Sequence, residues 1–255
     1  MRICVMNKTP TIGFVSAPAW FDPAPSEFPT VVEEYVRTQQ APLLLPDFDY
    51  RLESIALVQP ELNHCARSLA AMGCQLVAQV GSPFAWAGAL SEADARKRCD
   101  AMATLAGIPV IMTSLAIIDG LRALGAKTVA LNCTYYEREW RDSFETFLKM
   151  CIFDVCHAST LADQGLVPPD TRMEDIGWAM TDDLTRRSIL AAAKASPEAD
   201  AIVVTGAGTR TLSLLADLES RIHRPIIAAD TVLYWAIARS LHLTLKPAMG
   251  SLETL

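Results

Sequence analysis

Short apolar runs alternate with stretches of helical spacing along most of the chain. The runs Thr11 to Ala17, Ala41 to Leu45, Leu76 to Val80, Pro109 to Met112, Thr128 to Asn132, Ile152 to Val155, Ala201 to Val204 and Pro225 to Ala228 read as strands. They lack the in–out alternation of a half-solvated sheet, so the pattern predicts strands buried on both faces. Between them, apolar residues recur with helical period. Leu52 to Met72 ends at Gly73, and Pro60 places its start near Gln59. Ser91 caps a helix that runs to Ala106 and closes at Gly107. Further helices are predicted over Ser114 to Leu124, Glu137 to Met150, Asp182 to Ala195, Thr209 to Ser220 and Thr231 to Ser240, the last capped by Asp230. Ser159 to Arg172 holds Gly165, Pro168 and Pro169 and reads as a long excursion, a candidate loop over a site. Lys246 to Leu255 reads as irregular.

Strands in regular alternation with helices predict an α/β fold whose parallel sheets are covered on both faces. The units are too many for one flavodoxin-like sheet and too few for an eight-fold barrel, which stays the weaker alternative. Composition agrees with a packed globular chain: 255 residues, 51% hydrophobic and 20% charged. The net charge of −7 disfavours nucleic acid and anionic membrane as partners. No apolar run reaches the length of a membrane span. Met1 to Pro10 is too short and polar for the core of a signal peptide. Seven cysteines, an odd number without CxxC spacing, fit free thiols in a reducing, cytoplasmic setting. His64 beside Cys65 and Cys156 beside His157 lack a second ligand pair, so no metal site is expected.

Two segments look alike. Leu76-Val-Ala-Gln-Val-Gly-Ser-Pro and Ala201-Ile-Val-Val-Thr-Gly-Ala-Gly-Thr each run from a buried strand into glycine and small hydroxyl residues. In open α/β sheets ligands sit at the carboxyl ends of strands. Glycine there lets backbone N–H groups approach an anion. Either turn alone has a sufficient explanation in strand-to-helix geometry, and neither matches a dinucleotide or phosphate-loop spacing. As a pair in the two halves of the chain, they favour one site between two related lobes.

Pro10-Thr-Ile-Gly-Phe, the stretch from Met112 through Asp119-Gly-Leu-Arg-Ala-Leu-Gly to Leu131, and the two glycine turns in their order resemble the arylmalonate decarboxylases. Maleate isomerases and Asp/Glu racemases are more distant likenesses. The resemblance spans about residues 10 to 245. It implies two pseudo-symmetric Rossmann-like lobes, the Asp/Glu racemase-like fold, with a cofactor-free site in the cleft between them. The first lobe would hold residues 1–115 and 229–255, the second 116–228. In racemases of this kind each glycine turn carries a cysteine, and the two thiols act as acid and base. In the decarboxylases only the second thiol remains. Here Gly81 and Gly206 stand at those positions.

What the resemblance leaves is an anion cradle for a small carboxylate. Its candidate binding residues are Pro18, Gly81, Ser82, Pro83, Thr134, Tyr135, Thr205, Gly206, Ala207, Gly208 and Thr209. Tyr135 stands where the resemblance implies a carboxylate-binding tyrosine. It is the first catalytic candidate, followed by Cys133 and Ser82. A thiol at Cys133 past its strand would gain acidity from a helix N-terminus, whereas an unpaired intracellular cysteine is more often a buried hydrophobe. Met180 falls at a pocket position but also suits the core. Trp20, Phe84 and Trp86 are candidate apolar walls. These residues predict a cofactor-independent lyase or isomerase acting through an enediolate, in a monomer or homo-oligomer. A carboxylate-binding protein without chemistry is the alternative. Hydrolysis from Ser82 lacks a histidine partner at a strand end.

Overall fold

The computed structural model describes residues 9–18, 21–45, 48–49, 51–134, 137–172 and 180–255. Eight strands among them form two four-stranded parallel sheets. The first sheet has β1 (Thr11–Ser16), β2 (Arg37–Pro42), β3 (Leu76–Gln79) and β4 (Val110–Met112) in the order β2-β1-β3-β4. The second has β5 (Thr128–Cys133), β6 (Asp154–Thr160), β7 (Ala201–Thr205) and β8 (Ile226–Ala228) in the order β6-β5-β7-β8. The two orders are the same, as expected of two related lobes. The inner strands β3 and β7 are buried at every position, which is why they carry no alternation.

Helices cover the sheets: α1 (Ala24–Glu27), α2 (Leu52–Ala56), α3 (Gln59–Ala71), α4 (Pro83–Trp86), α5 (Glu92–Ala106), α6 (Thr113–Ala123), α7 (Arg138–Met150), α8 (Asp182–Ala195), α9 (Leu215–Ile222) and α10 (Ala229–Leu241). Helices α6 and α10 pack directly on each other. Gly120 permits this approach, since a Cβ there would lie 2.7 Å from Val232 Cγ2. Helix α10 also touches strands of both sheets, β3 and β4 in one and β8 in the other.

Several elements depart from the sequence pattern. The second strand is Arg37–Pro42, not Ala41 to Leu45, and the sixth is Asp154–Thr160, not Ile152 to Val155. Both are edge strands, less completely buried, so their polar sequences carry no apolar run. Ile152 instead sits in a turn at φ +69° and is 89% exposed. The helix expected from Thr209 starts only at Leu215, which leaves residues 206–214 as a compact turn. Asp230 lies inside the first turn of α10, whose N-cap is Ala228. The carboxylate accepts from the Thr211 N–H and the Thr211 hydroxyl, both at 2.7 Å. The first part of the Ser159 to Arg172 excursion belongs to β6 and to a turn packed on the second lobe. There Gln164 Nε2 donates to Asn132 Oδ1 at 3.0 Å, and Asp163 pairs with Arg138 and Arg141. The tail holds a 3-10 turn, Gly250–Thr254, and Val32 bridges to Leu245.

Candidate active site

Both glycine turns leave the carboxyl ends of inner strands. Gly81 follows β3 at φ +102°, and Gly206 follows β7 at φ +106°. Side chains other than glycine rarely adopt either value. Gly81 and Ala207 line the same small cavity, together with Asp22, Thr113, Arg210 and Asp230. It is small, with room for about one water molecule. The structure therefore brings the two turns together between the lobes.

On the first turn, Ser82 is 1% exposed and precedes Pro83, which opens α4. Where a side chain at position 81 would begin, the Phe84 ring stands 2.9 Å from the projected Cβ and Gln79 Nε2 3.6 Å from it. That space is filled. Phe84 thus packs against the turn, while Trp86 stacks on Phe144 of α7 at a centroid distance of 5.5 Å. Pro18 is buried just after β1.

On the second turn three threonines interlock. The Thr134 hydroxyl donates to the Thr205 carbonyl at 2.7 Å and lies 2.6 Å from the Thr209 hydroxyl. The Thr209 hydroxyl in turn lies 3.4 Å from Met180 Sδ, and the Met180 N–H donates to the Gly208 carbonyl at 3.2 Å. Thr134, Thr205 and Thr209 are all buried. The Thr134 and Thr209 hydroxyls and the Thr205 carbonyl hold the turn's shape.

Cys133 is fully buried, with α7 residues dominating its charged surroundings. Desolvation pushes its thiol up to about 12, opposed in part by the Thr205 hydroxyl and by Arg141. Burial thus moves the thiol in the direction opposite to the acidification expected from sequence. Tyr135 and Trp20 lie outside the described residues. Among the described residues no group of three or more His, Cys, Asp or Glu side chains is arranged to hold a metal ion. No helix among them is long and apolar enough to cross a membrane. The described cysteines are unpaired thiols.

Sequence reasoning misses the charged cluster beside the second turn, part of which lines the cavity. Arg210 forms an ion pair with Glu27 through Nη2 and Nε, stands 3.7 Å from Asp22, and donates to Tyr234 Oη at 2.6 Å. Tyr234 Oη donates in turn to Glu27 Oε2 at 3.0 Å. Asp22 is wholly buried and Arg210 only 17% exposed in its side chain. Burial opposes the guanidinium's charge, but the surrounding Asp230, Glu27 and Asp22 raise its pKa further above an already high value. Burial also drives Tyr234 well above the usual phenol range, so it stays neutral. Glu27 and Tyr234 lie 207 positions apart in the chain, beyond the reach of any local pattern.

Residues 12–252 match the family model described as arylmalonate decarboxylase. The chain belongs to the arylmalonate decarboxylase family. Arylmalonate decarboxylase of Bordetella bronchiseptica is 28% identical over 190 residues, 72% of either chain. A crystal structure of arylmalonate decarboxylase superposes with a TM-score of 0.78 at 23% identity, covering 96% of this chain and 99% of that one. The maleate isomerase Iso from Pseudomonas putida S16 gives a TM-score of 0.81 at 18% identity over 96% and 98% of the two chains. A maleate cis-trans isomerase variant of Nocardia farcinica, holding a covalently bound succinylcysteine intermediate, gives 0.75 at 21% over 96% and 98%. Arylmalonate decarboxylase and maleate isomerase thus share this chain's fold of two four-stranded parallel sheets.

Proposed function

We propose that the protein is a cofactor-independent enzyme of the decarboxylase or isomerase type, acting on a small carboxylic acid through an enediolate held by the two glycine turns. The observation that carries this reading is the meeting of Gly81 and Ala207 on one cavity, from matching strand ends in a member of the arylmalonate decarboxylase family. In the decarboxylase version, the bond from the central carbon to one carboxylate breaks and carbon dioxide leaves. The electron pair passes into the remaining carboxylate, giving the enediolate, and a proton then joins the carbon. Fixed N–H donors lower the barrier because they meet charge as it develops and need no reorganisation. The N–H groups along Gly81-Ser82 and Ala207-Gly208, with the hydroxyls of Ser82 and Thr205, would serve as those donors, while Pro18, Pro83, Thr134 and Thr209, whose hydroxyl donates to Thr134, shape their surroundings.

Tyr135 or water is our proton source. The burial of Cys133 and its thiol near 12 support a packing role for that residue. The free thiols suit a cytoplasmic setting. One feature favours a second reading, a carboxylate-binding protein without turnover: glycine occupies both positions where the family resemblance implies cysteine. Incubation with substituted malonates and short dicarboxylates separates the two readings. Carbon dioxide release or isomer formation supports the enzyme. A ligand-dependent rise in Tm without product supports the binding protein. Neither product nor a Tm shift with any of these acids rejects both.

A further inference from the structure

The direction in which a backbone N–H points is fixed by its own peptide plane. In a trans peptide the carbonyl of one residue and the N–H of the next point to opposite sides. A donor that seizes the carbonyl from behind therefore aims the following N–H forward. Each glycine turn has such a donor: Gln79 on the first, and on the second Arg210, which also lines the cavity.

On the first turn Gln79 supplies it. Its Nε2 donates to the Val80 carbonyl and, at 3.0 Å, to the Gly81 carbonyl. Those two contacts turn the Gly81 and Ser82 N–H groups to the other side. Gln79 is 1% exposed, and its backbone carbonyl is itself held by the Thr113 hydroxyl at 2.8 Å. Its Oε1 is buried without a hydrogen-bond partner among the described residues. An unpaired buried acceptor is a net cost to stability. A methionine or leucine would fill the space without that cost, so packing does not account for the residue.

On the second turn two donors share the task. The Thr209 N–H donates to the Gly206 carbonyl at 3.1 Å, and Arg210 Nη1 donates to the Ala207 carbonyl at 3.2 Å. The Ala207 and Gly208 N–H groups are thereby turned away from them. Neither the Gly81 N–H nor the Ala207 N–H donates to another described residue. Arg210 keeps its aim because Glu27, Asp22 and Tyr234 fix the rest of the guanidinium.

We infer that Gln79 and Arg210 are paired positioning residues, which hold the peptide planes of the two turns so that their N–H groups converge on a carboxylate. The inference rests on the carboxylate-cradle reading above. Two variants test it. Gln79→Met keeps the volume and removes both donors. Arg210→Lys keeps a cation for Glu27 and Asp22 but lacks the planar fork needed to reach Ala207 as well. The measurements are backbone 1H–15N resonances without ligand, Tm, and malonate affinity by calorimetry. In Gln79→Met the Gly81 and Ser82 resonances should move while those of Ala207 and Gly208 stay. In Arg210→Lys the pattern should reverse. Malonate affinity should fall about tenfold in either variant, and Tm should hold in Gln79→Met. Resonances that stay in place overturn the inference whatever malonate does. Resonances that move while wild-type malonate binding persists undiminished also overturn it, since the residues would then be structural alone. If the wild type does not bind malonate, the carboxylate reading falls, and the site-selective shifts alone decide whether these side chains set the planes.

Discussion

The two glycine turns occupy the same place in their lobes, yet they are supported in different ways. The first is backed by a neutral amide two residues away in the same strand and is closed by the Phe84 ring. The second is backed by a guanidinium whose ionic partners, Glu27 and Asp22, come from the other end of the chain. One support is local and uncharged; the other is remote and ionic. The comparison teaches that the same backbone shape, a glycine near φ +100° after a buried strand, does not require the same surroundings. What is shared is a donor on the carbonyl side of each turn.

The largest expected effect comes from removing the ionic support altogether. Arg210→Met removes the cation that faces the buried carboxylate of Asp22 and the largely buried one of Glu27. It should cost about 3 kcal/mol or more, read as a fall in denaturant midpoint. A loss below about 1 kcal/mol would mean that the cluster contributes no more than a surface pair. An intermediate effect is expected at the first turn. Gly81→Ala meets both a positive φ and the Phe84 ring, and should cost about 1–3 kcal/mol. Gly107→Ala, at φ +69° with open space around it, serves as the control and should cost less, about 1 kcal/mol. Equal losses at the two positions would deny that Phe84 closes the first turn.

The smallest effect concerns the ion pairs around Glu92, outside the site. Arg122 and Arg96 hold the Glu92 carboxyl down at about 2, against the opposing pull of burial. A depressed carboxyl stabilises the fold fully above its unfolded value near 4.5, and that contribution disappears as pH falls towards 2. The Tm difference between wild type and Glu92→Gln should therefore be widest near neutrality and close over that acid range. A difference that persists at pH 2 would mean that Glu92 acts through packing rather than charge.

Much of the architecture is legible in the sequence, because inner strands buried on both faces are plain apolar runs. The core of β3, β5 and β7 falls where the pattern puts it. The edge strands β2 and β6 are misplaced by several residues, since Arg37-Thr-Gln-Gln and Asp154-Val-Cys-His contain no such run. The glycine turns are legible as strand-end signals. Their supports are not: Gln79 reads as a polar break in a buried strand, and Arg210 as one more charge in a predicted helix. Asp230 shows the same limit. Its place before an apolar stretch suggests a cap for its own helix, whereas its carboxylate serves Thr211, 19 positions earlier.

The difference between the two supports also separates the turns in the order in which the chain is made. Everything that shapes the first turn, from Gln79 and Phe84 to the Thr113 hydroxyl, is present once the first half of the polypeptide has emerged. The second turn is complete only when Tyr234 and Asp230 arrive on α10, close to the C-terminus, and when Arg210 has found Glu27 near the N-terminus. A growing chain thus holds the donors of the first turn early and receives the braces of the second among its last steps, when α10 also comes to cover β3 and β4.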